Sequence, residues 1–234
     1  MSTPAPLATA PYRLDRATGI ARAFLAPGRW YVRNDYYYAC AKLSTDPLYP
    51  AVCDVLRDTR APLLDLGCGL GLLAHALRGD GQSMPYRGYD NDAGKIRRAI
   101  AAAQRCRLDD VEFGHADLGA QLPTHEGSVA LLDVMQFIPA DAQVRAIDAL
   151  IGMLTPGAKL VIRTGVADGS SRAQVTRMVD VFARAVGWMN ALPVHYPELD
   201  MLRARFAAAG LQGEFVPLHG HTPFNNWRIV ATKT

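Results

Sequence analysis

Three glycines at alternate positions, in the run Leu63-Leu64-Asp65-Leu66-Gly67-Cys68-Gly69-Leu70-Gly71, limit what this chain can fold into more than any other feature. An apolar stretch precedes them and a helical pattern follows, so they read as a turn from a buried strand into a helix. Glycine in such a turn lets the backbone bend tightly and lets a ligand approach without meeting a Cβ. In an open α/β sheet the turn lies at the carboxyl ends of the strands, where ligands bind. The rest of the chain must supply that sheet.

Alternation along the chain does so. Asp46-Pro47 suits a helix start, with Asp at the cap, Pro in the first position and Leu48, Val52 and Val55 on one face. A strand is expected at Pro62–Leu66, a helix over about Gly71–Arg78, a strand ending at Tyr89-Asp90 and a helix from about Asp92 to Cys106. Val111–His115 reads as a short strand, and Val129–Val134 is apolar enough for a central parallel strand. Val144, Ile147, Ile151 and Leu154 recur at helical spacing until Thr155-Pro156-Gly157, before a strand at Lys159–Ile162. Val175, Met178, Val179, Phe182 and Val186 mark a further helix, and Leu199, Leu202 and Phe206 another. Two last strands, Gly213–Leu218 and Trp227–Thr232, are joined by a link too short for a helical crossover, which makes them antiparallel. The expected class is therefore α/β: a Rossmann-like, doubly wound, seven-stranded sheet, mostly parallel with an antiparallel C-terminal strand and helices on both faces.

Composition sets outer bounds. The chain has 234 residues, is 50% hydrophobic and carries a net charge of +3, which fits one globular domain and does not by itself imply a nucleic-acid partner. No apolar run approaches the ~20 residues of a membrane span and no signal-peptide core is visible, so the chain reads as cytoplasmic. Cys40, Cys53, Cys68 and Cys106 form no CxxC pair, and no metal site is expected. Three regions are expected: residues 1–33 as a flexible leader and basic segment, 34–60 as lid helices, and 61–234 as the cofactor-binding domain.

Two cofactor classes use a glycine turn of this kind. Gly69-Leu70-Gly71-Leu72-Leu73-Ala74 fits the relaxed GxGxxA dinucleotide pattern, which suits an NAD(P)-dependent oxidoreductase. Asp65 argues the other way, because a carboxylate beside the ligand repels a pyrophosphate and attracts the cationic amino group and sulfonium of S-adenosylmethionine.

The stretch Asp65 to Gly71 closely resembles motif I of the class I S-adenosylmethionine-dependent methyltransferases, including the kind grouped as types 11 and 12. Further landmarks follow in that family's order. Asp90, in Gly88-Tyr89-Asp90-Asn91-Asp92, stands where the family has an acid for the ribose hydroxyls. Ala116-Asp117 stands where it has an acid near the adenine amino group. Asp133-Val134 matches the segment beside the methyl group, and Leu154-Thr155-Pro156-Gly157 matches the turn before the fifth strand. The resemblance implies a cofactor site of Asp65, Gly67, Cys68, Gly69, Gly71, Asp90, Asn91, Ala116, Asp117, Asp133 and Val134, with Tyr38 reaching over it from the N-terminal helices. A cofactor-binding subunit without catalysis is a third reading of the same motifs.

Methyl transfer from a sulfonium needs positioning and exclusion of water more than it needs a catalytic triad. A hydroxyl or phenol acceptor also benefits from a base, for which His221, His195 and Asp133 are candidates. The run Asp133-Val134-Met135-Gln136-Phe137 lacks the Asn/Asp-Pro-Pro-Tyr motif used on nucleobase amines, which disfavours nucleic acid. A small-molecule acceptor, free or carrier-bound, is expected, held by Tyr31, Tyr37, Gln136, Arg163, Trp188 and Asn225. Lys42-Leu43-x-x-Asp46-Pro47, the strand with Arg163, and Thr222-Pro223-Phe224-Asn225-Asn226 are similar to methyltransferases found with bacterial aryl polyene pigment enzymes, which implies an aryl, phenolic or polyene acyl substrate methylated on oxygen or carbon.

Overall fold

A computed structural model describes residues 4–25, 34–117, 121–166, 194–218 and 225–234. Its contacts group the chain into two units, Ala8–His125 and Glu126–Thr234 with Met1–Leu7. Seven strands make one mixed sheet, ordered β3-β2-β1 in the first unit and β4-β5-β7-β6 in the second.

In the first unit, β1 (Leu63–Leu66), β2 (Tyr86–Asp90) and β3 (Val111–His115) pair in parallel, with Leu63 opposite Tyr86 and Tyr86 opposite Val111. All four residues of β1 are buried, as a strand covered on both faces requires, whereas β3 is only half-covered. Around these strands lie α1 (Leu14–Ala21), a 3-10 turn at Arg22–Phe24, α2 (Asn34–Thr45), α3 (Leu48–Leu56), α4 (Leu72–Gly79) and α5 (Ala93–Cys106).

Asp46 does act at the start of α3. Its Oδ1 accepts the Leu48 N–H at 3.0 Å, while the helix itself begins at Leu48 with Pro47 in the cap position, one residue later than expected. Asp92 caps α5, its Oδ1 accepting from Gly94 at 2.8 Å and Lys95 at 3.0 Å.

The N-terminal region is more ordered by packing than its composition implies. Within residues 1–33, α1 and the 3-10 turn bury Ala17, Ala21, Ala23 and Phe24, and Tyr12 is 8% exposed. Arg105 of α5 fixes the turn by donating through Nε and Nη2 to the Ala23 carbonyl at 2.9 and 2.6 Å. Within residues 34–60, α3 is part of the core, burying Leu48, Tyr49, Ala51, Val52, Cys53 and Leu56. Docking of these helices supplies apolar area that a loose arm would leave in water.

In the second unit, β4 (Ser128–Leu132) pairs in parallel with β5 (Lys159–Gly165) after the crossover helix α6 (Ala140–Gly152). After α7 (Leu199–Ala208), β6 (Gln212–Pro217) and β7 (Asn226–Thr232) form an antiparallel pair, and β7 lies antiparallel against β5. The strand expected at Val129–Val134 stops at Leu132, because Asp133 turns to a φ of +61°. The helix expected around Val175–Val186 lies outside the described residues. No helix among the described residues is long and apolar enough to cross a membrane.

Candidate active site

The turn after β1 is held in place by the end of β2. Gly67, Gly69 and Gly71 have φ values of +76°, +57° and +74°, a region only glycine enters without strain. The Gly67 and Cys68 N–H groups both donate to the Tyr89 carbonyl, at 2.7 and 3.0 Å, and Gly71 N–H closes the turn on Cys68 at 2.9 Å. Asp90 completes the attachment, with Oδ2 accepting the Gly69 N–H at 2.9 Å and Oδ1 the Asp92 N–H at 2.9 Å. A carboxylate has about four acceptor positions, so Asp90 keeps capacity for a ligand hydroxyl.

The glycines differ in purpose. A Cβ on Gly71 would lie 2.4 Å from Phe113 Cζ, so this glycine makes room for the core, whereas a Cβ on Gly69 would meet nothing within 4 Å. Gly69 therefore leaves open space beside its backbone. Gly88 of β2 similarly admits Cys68, whose Sγ would be 2.9 Å from its Cβ. Burial pushes the Cys68 thiol well above its ordinary range, which makes it a packing group and not a nucleophile.

Asp65 lies deeper than expected. It is 2% exposed, and its Oδ2 accepts a 2.5 Å hydrogen bond from the hydroxyl of the fully buried Tyr86. Burial raises its carboxyl to about 7, opposed by the Tyr86 hydrogen bond and assisted by the negative Asp90. The carboxylate is thus enclosed by protein, with Tyr86 as a hydrogen-bond donor to it. Tyr86 carries no motif, and its role shows only through the register that sets β2 beside β1.

On the same unit, Ala116 and Asp117 line a shallow pocket of about 380 Å³ with Gln121, Leu122, Pro123 and Thr124. Ala116 N–H donates to the Asp90 carbonyl at 3.1 Å, which ties this wall to the acid. The Asn91 carbonyl accepts from His115 Nε2 at 3.1 Å, and Asn91 is exposed. On α2, Tyr37 and Tyr38 are 57% and 38% exposed, so their rings are available for contact and are not core.

The second unit carries a buried polar group at the ends of β4 and β5. Arg163 of β5 is 2% exposed and donates through Nη1 to Asp133 Oδ2, so its charge is met inside the protein. Gln136 is 7% exposed and spans the group, donating through Nε2 to the Asp133 carbonyl at 3.0 Å and accepting from Thr164 Oγ1 at 3.3 Å. Its own carbonyl accepts the N–H groups of Val194 at 2.9 Å and His195 at 3.2 Å. Gln143 of α6 secures this arrangement, donating through Nε2 to the carbonyls of Met135, Ile138 and His195 at 3.3, 3.0 and 3.0 Å. Val134 is half-buried beside them, and Asn225, 5% exposed, donates to the Val166 carbonyl at 2.9 Å.

The structure thus brings together the side chains of Asp133, Gln136 and Arg163 with the backbone of His195. Gln143 and Thr164 were missed, because a lone amide on a helix and a lone hydroxyl in a strand give no sequence signal. His221, Tyr31 and Trp188 lie outside the described residues. Among the described residues no cluster of three or more His, Cys, Asp or Glu side chains is placed to hold a metal ion.

Known proteins match this arrangement. Residues 63–157 fit the family model described as "Methyltransferase domain". The ubiquinone biosynthesis O-methyltransferase of Xylella fastidiosa strain 9a5c is 28% identical over 104 residues, covering 44% of this chain and 42% of the relative, so the match spans less than half of either protein. Among solved structures, magnesium protoporphyrin IX methyltransferase from Synechocystis PCC 6803, crystallised with bound SAH, superposes with a TM-score of 0.61 at 16% identity, covering 92% of this chain and 94% of that one. An O-methyltransferase family protein from Burkholderia thailandensis gives 0.58 at 20% identity, over 94% of this chain and 68% of its own. With the glycine turn, its acid on β2 and the turn before β5 all inside the matched stretch, the similarity over residues 63–157 is to a methyltransferase domain.

Proposed function

We propose that this chain transfers a methyl group from S-adenosylmethionine to the oxygen or carbon of a small aryl, phenolic or polyene acyl acceptor. One observation carries the reading: a turn of three positive-φ glycines is hydrogen-bonded to the buried Asp90 while Gly69 leaves open space above its backbone. The residues fit the cofactor, since an acid with spare acceptor capacity and a cradle that a Cβ would fill are what a ribose and an amino-acid tail need. Asp90 would hold the ribose hydroxyls, Gly67 and Gly69 the backbone side of the tail, and Ala116 and Asp117 the base. When bound, S-adenosylmethionine supplies an electrophilic methyl on a positively charged sulfur.

The protein's part is to orient and to exclude water. Asp133 and Gln136 are the groups proposed to position the acceptor, and Arg163 holds the Asp133 carboxylate in one orientation. His195, its backbone fixed by Gln136 and Gln143, is the proposed recipient of the proton that an acceptor hydroxyl loses. Two similar proteins, the Xylella fastidiosa enzyme and the Burkholderia thailandensis family protein, are named O-methyltransferases, which supports oxygen as the methylated atom.

Titration calorimetry with S-adenosylmethionine and S-adenosylhomocysteine tests the reading. Asp90→Ala is expected to weaken binding by about 1–3 kcal/mol, the range for a lost hydrogen bond to a charged group. Wild-type protein that binds neither compound at millimolar concentration refutes it. A parallel titration with NADPH addresses the oxidoreductase reading, which predicts binding of that dinucleotide.

A further inference from the structure

We propose that Arg228 of β7 binds the carboxylate of an acidic acceptor, displacing Glu214 from the guanidinium, so that the methylated substrate is an aryl or polyenoic acid. This substrate class rests on the methyl-transfer reading above.

The register of the second unit brings the charges together. β5 and β7 run antiparallel with Arg163 directly opposite Arg228, so the two side chains leave the sheet on one face with Cβ atoms about 5 Å apart. Arg163 meets Asp133, just past the end of β4, and Arg228 donates through Nη2 to Glu214 Oε1 of β6 at 2.7 Å. The result is a row of acid, arginine, arginine and acid that crosses four strands. In the outer pair the cation is the buried member: the Arg228 side chain is 8% exposed and that of Glu214 54%, so the charge sits in the protein while its counter-ion stands largely in water. Two guanidiniums facing each other across a ladder repel, and an ion pair with so exposed a partner offsets little of what burying an arginine costs.

The hydrogen bonds show which donor remains to be filled. Nε and Nη2 lie along one edge of a guanidinium with their N–H groups parallel, the fork that a carboxylate fills with both oxygens. Glu214 takes only Nη2. The Nε of Arg228 is buried and has no hydrogen-bond partner among the described residues, a state that folded proteins seldom leave uncorrected. A carboxylate seated on both donors satisfies the edge, and Glu214, already half in water, loses little by turning outward. A dianionic phosphate suits the row less well, because Asp133 stands at its other end. On the same face the arginines are flanked by Leu132, Val161, Val216 and Val230, a setting for an acid with an apolar body. Arg163 connects this place to Asp133, the group proposed above to position the acceptor.

Calorimetry with benzoate and benzamide, which share a shape and differ in charge, tests the site without any methyl transfer. Wild type should bind benzoate at millimolar concentration and benzamide about tenfold or more weakly, the range for losing a hydrogen bond to a charged group. Arg228→Lys keeps the charge without the fork and should weaken benzoate about tenfold, and Arg228→Met should abolish the preference. Glu214→Gln removes the competing acid and should tighten benzoate about two- to fivefold, the worth of an exposed ion pair. A merely structural pair would instead give lower stability with no gain in affinity. Equal affinity for the two probes in the wild type, or unchanged benzoate affinity in Glu214→Gln, overturns the proposal, and both readouts stand even where an arginine variant fails to fold. S-adenosylmethionine has a carboxylate of its own, so it is titrated into the same variants. Its affinity should be unchanged in Arg228→Met; joint loss of cofactor and benzoate assigns the edge to the cofactor and overturns the proposal. Wild type that binds benzoate but neither S-adenosylmethionine nor S-adenosylhomocysteine refutes the methyl-transfer reading, and the acceptor assignment with it, while supporting the carboxylate site.

Discussion

Gly69 and Gly71 stand two residues apart in one motif, and replacing each with alanine should have opposite consequences. Both have positive φ, so either alanine incurs about 1–2 kcal/mol of left-handed backbone strain. At Gly69 nothing lies within 4 Å of the new methyl, and the strain is the whole effect on stability. At Gly71 the methyl would stand 2.4 Å from Phe113 Cζ, which adds an overpacking penalty of about 1–3 kcal/mol. Urea denaturation should therefore place Gly71→Ala about 1–3 kcal/mol below Gly69→Ala in stability. Adding Phe113→Leu should recover part of the loss in Gly71→Ala, with a coupling of about 1 kcal/mol in the double-mutant cycle. Ligand titration should reverse the ranking per unit of stability, since the methyl on Gly69 enters the space assigned to the cofactor. Equal stability of the two variants, or wild-type affinity in Gly69→Ala, would refute the division of labour.

Other consequences follow from buried charge. His75 of α4 is 5% exposed, packs in a tilted contact with Phe24 at 5.2 Å between ring centroids and has its imidazole pushed down to about 4 by burial, with Arg105 adding to the effect. Its unfolded form takes up a proton first, so its contribution to stability is intact above about pH 6.5 and is lost toward pH 4, up to about 3 kcal/mol. Asp65 has the opposite slope, stabilising less as pH rises from its unfolded value of 3.8 toward about 7, so the histidine should be read in an Asp65→Asn background, where His75→Leu flattens the acid limb of the melting curve. Asp133→Asn should destabilise by about 1–3 kcal/mol in urea, less than a fully buried pair because the Asp133 side chain is 32% exposed. Arg163→Met combined with Asp133→Asn should recover much of that loss, as removal of both charges leaves no uncompensated guanidinium.

What could be read from sequence depended on how local each feature is. The turn at Gly67–Gly71, the helix beginning near Asp92 and the antiparallel ending of the sheet are set by neighbouring residues, and all three appear as expected. The strand running to Val134 did not, because only the tertiary setting shows Asp133 leaving the strand at positive φ to meet Arg163. Hydropathy also gave no hint that Tyr12 and Phe24 belong to the core, since their partners, Cys53 and His75, lie on helices far along the chain.

The sequence alone therefore determined the class of fold, the place of the ligand turn and the acid that serves it, because glycine conformation and strand periodicity are properties of a few consecutive residues. Tertiary structure decided the state of the acids and amides. Asp65 is a buried carboxyl with a phenol donor only because the fold encloses β1 and sets Tyr86 of β2 beside it, and Gln143 is a clamp only because α6 brings it against three distant carbonyls. Burial and hydrogen-bond partners are set by what the fold places alongside a residue, and no pattern of adjacent letters encodes them.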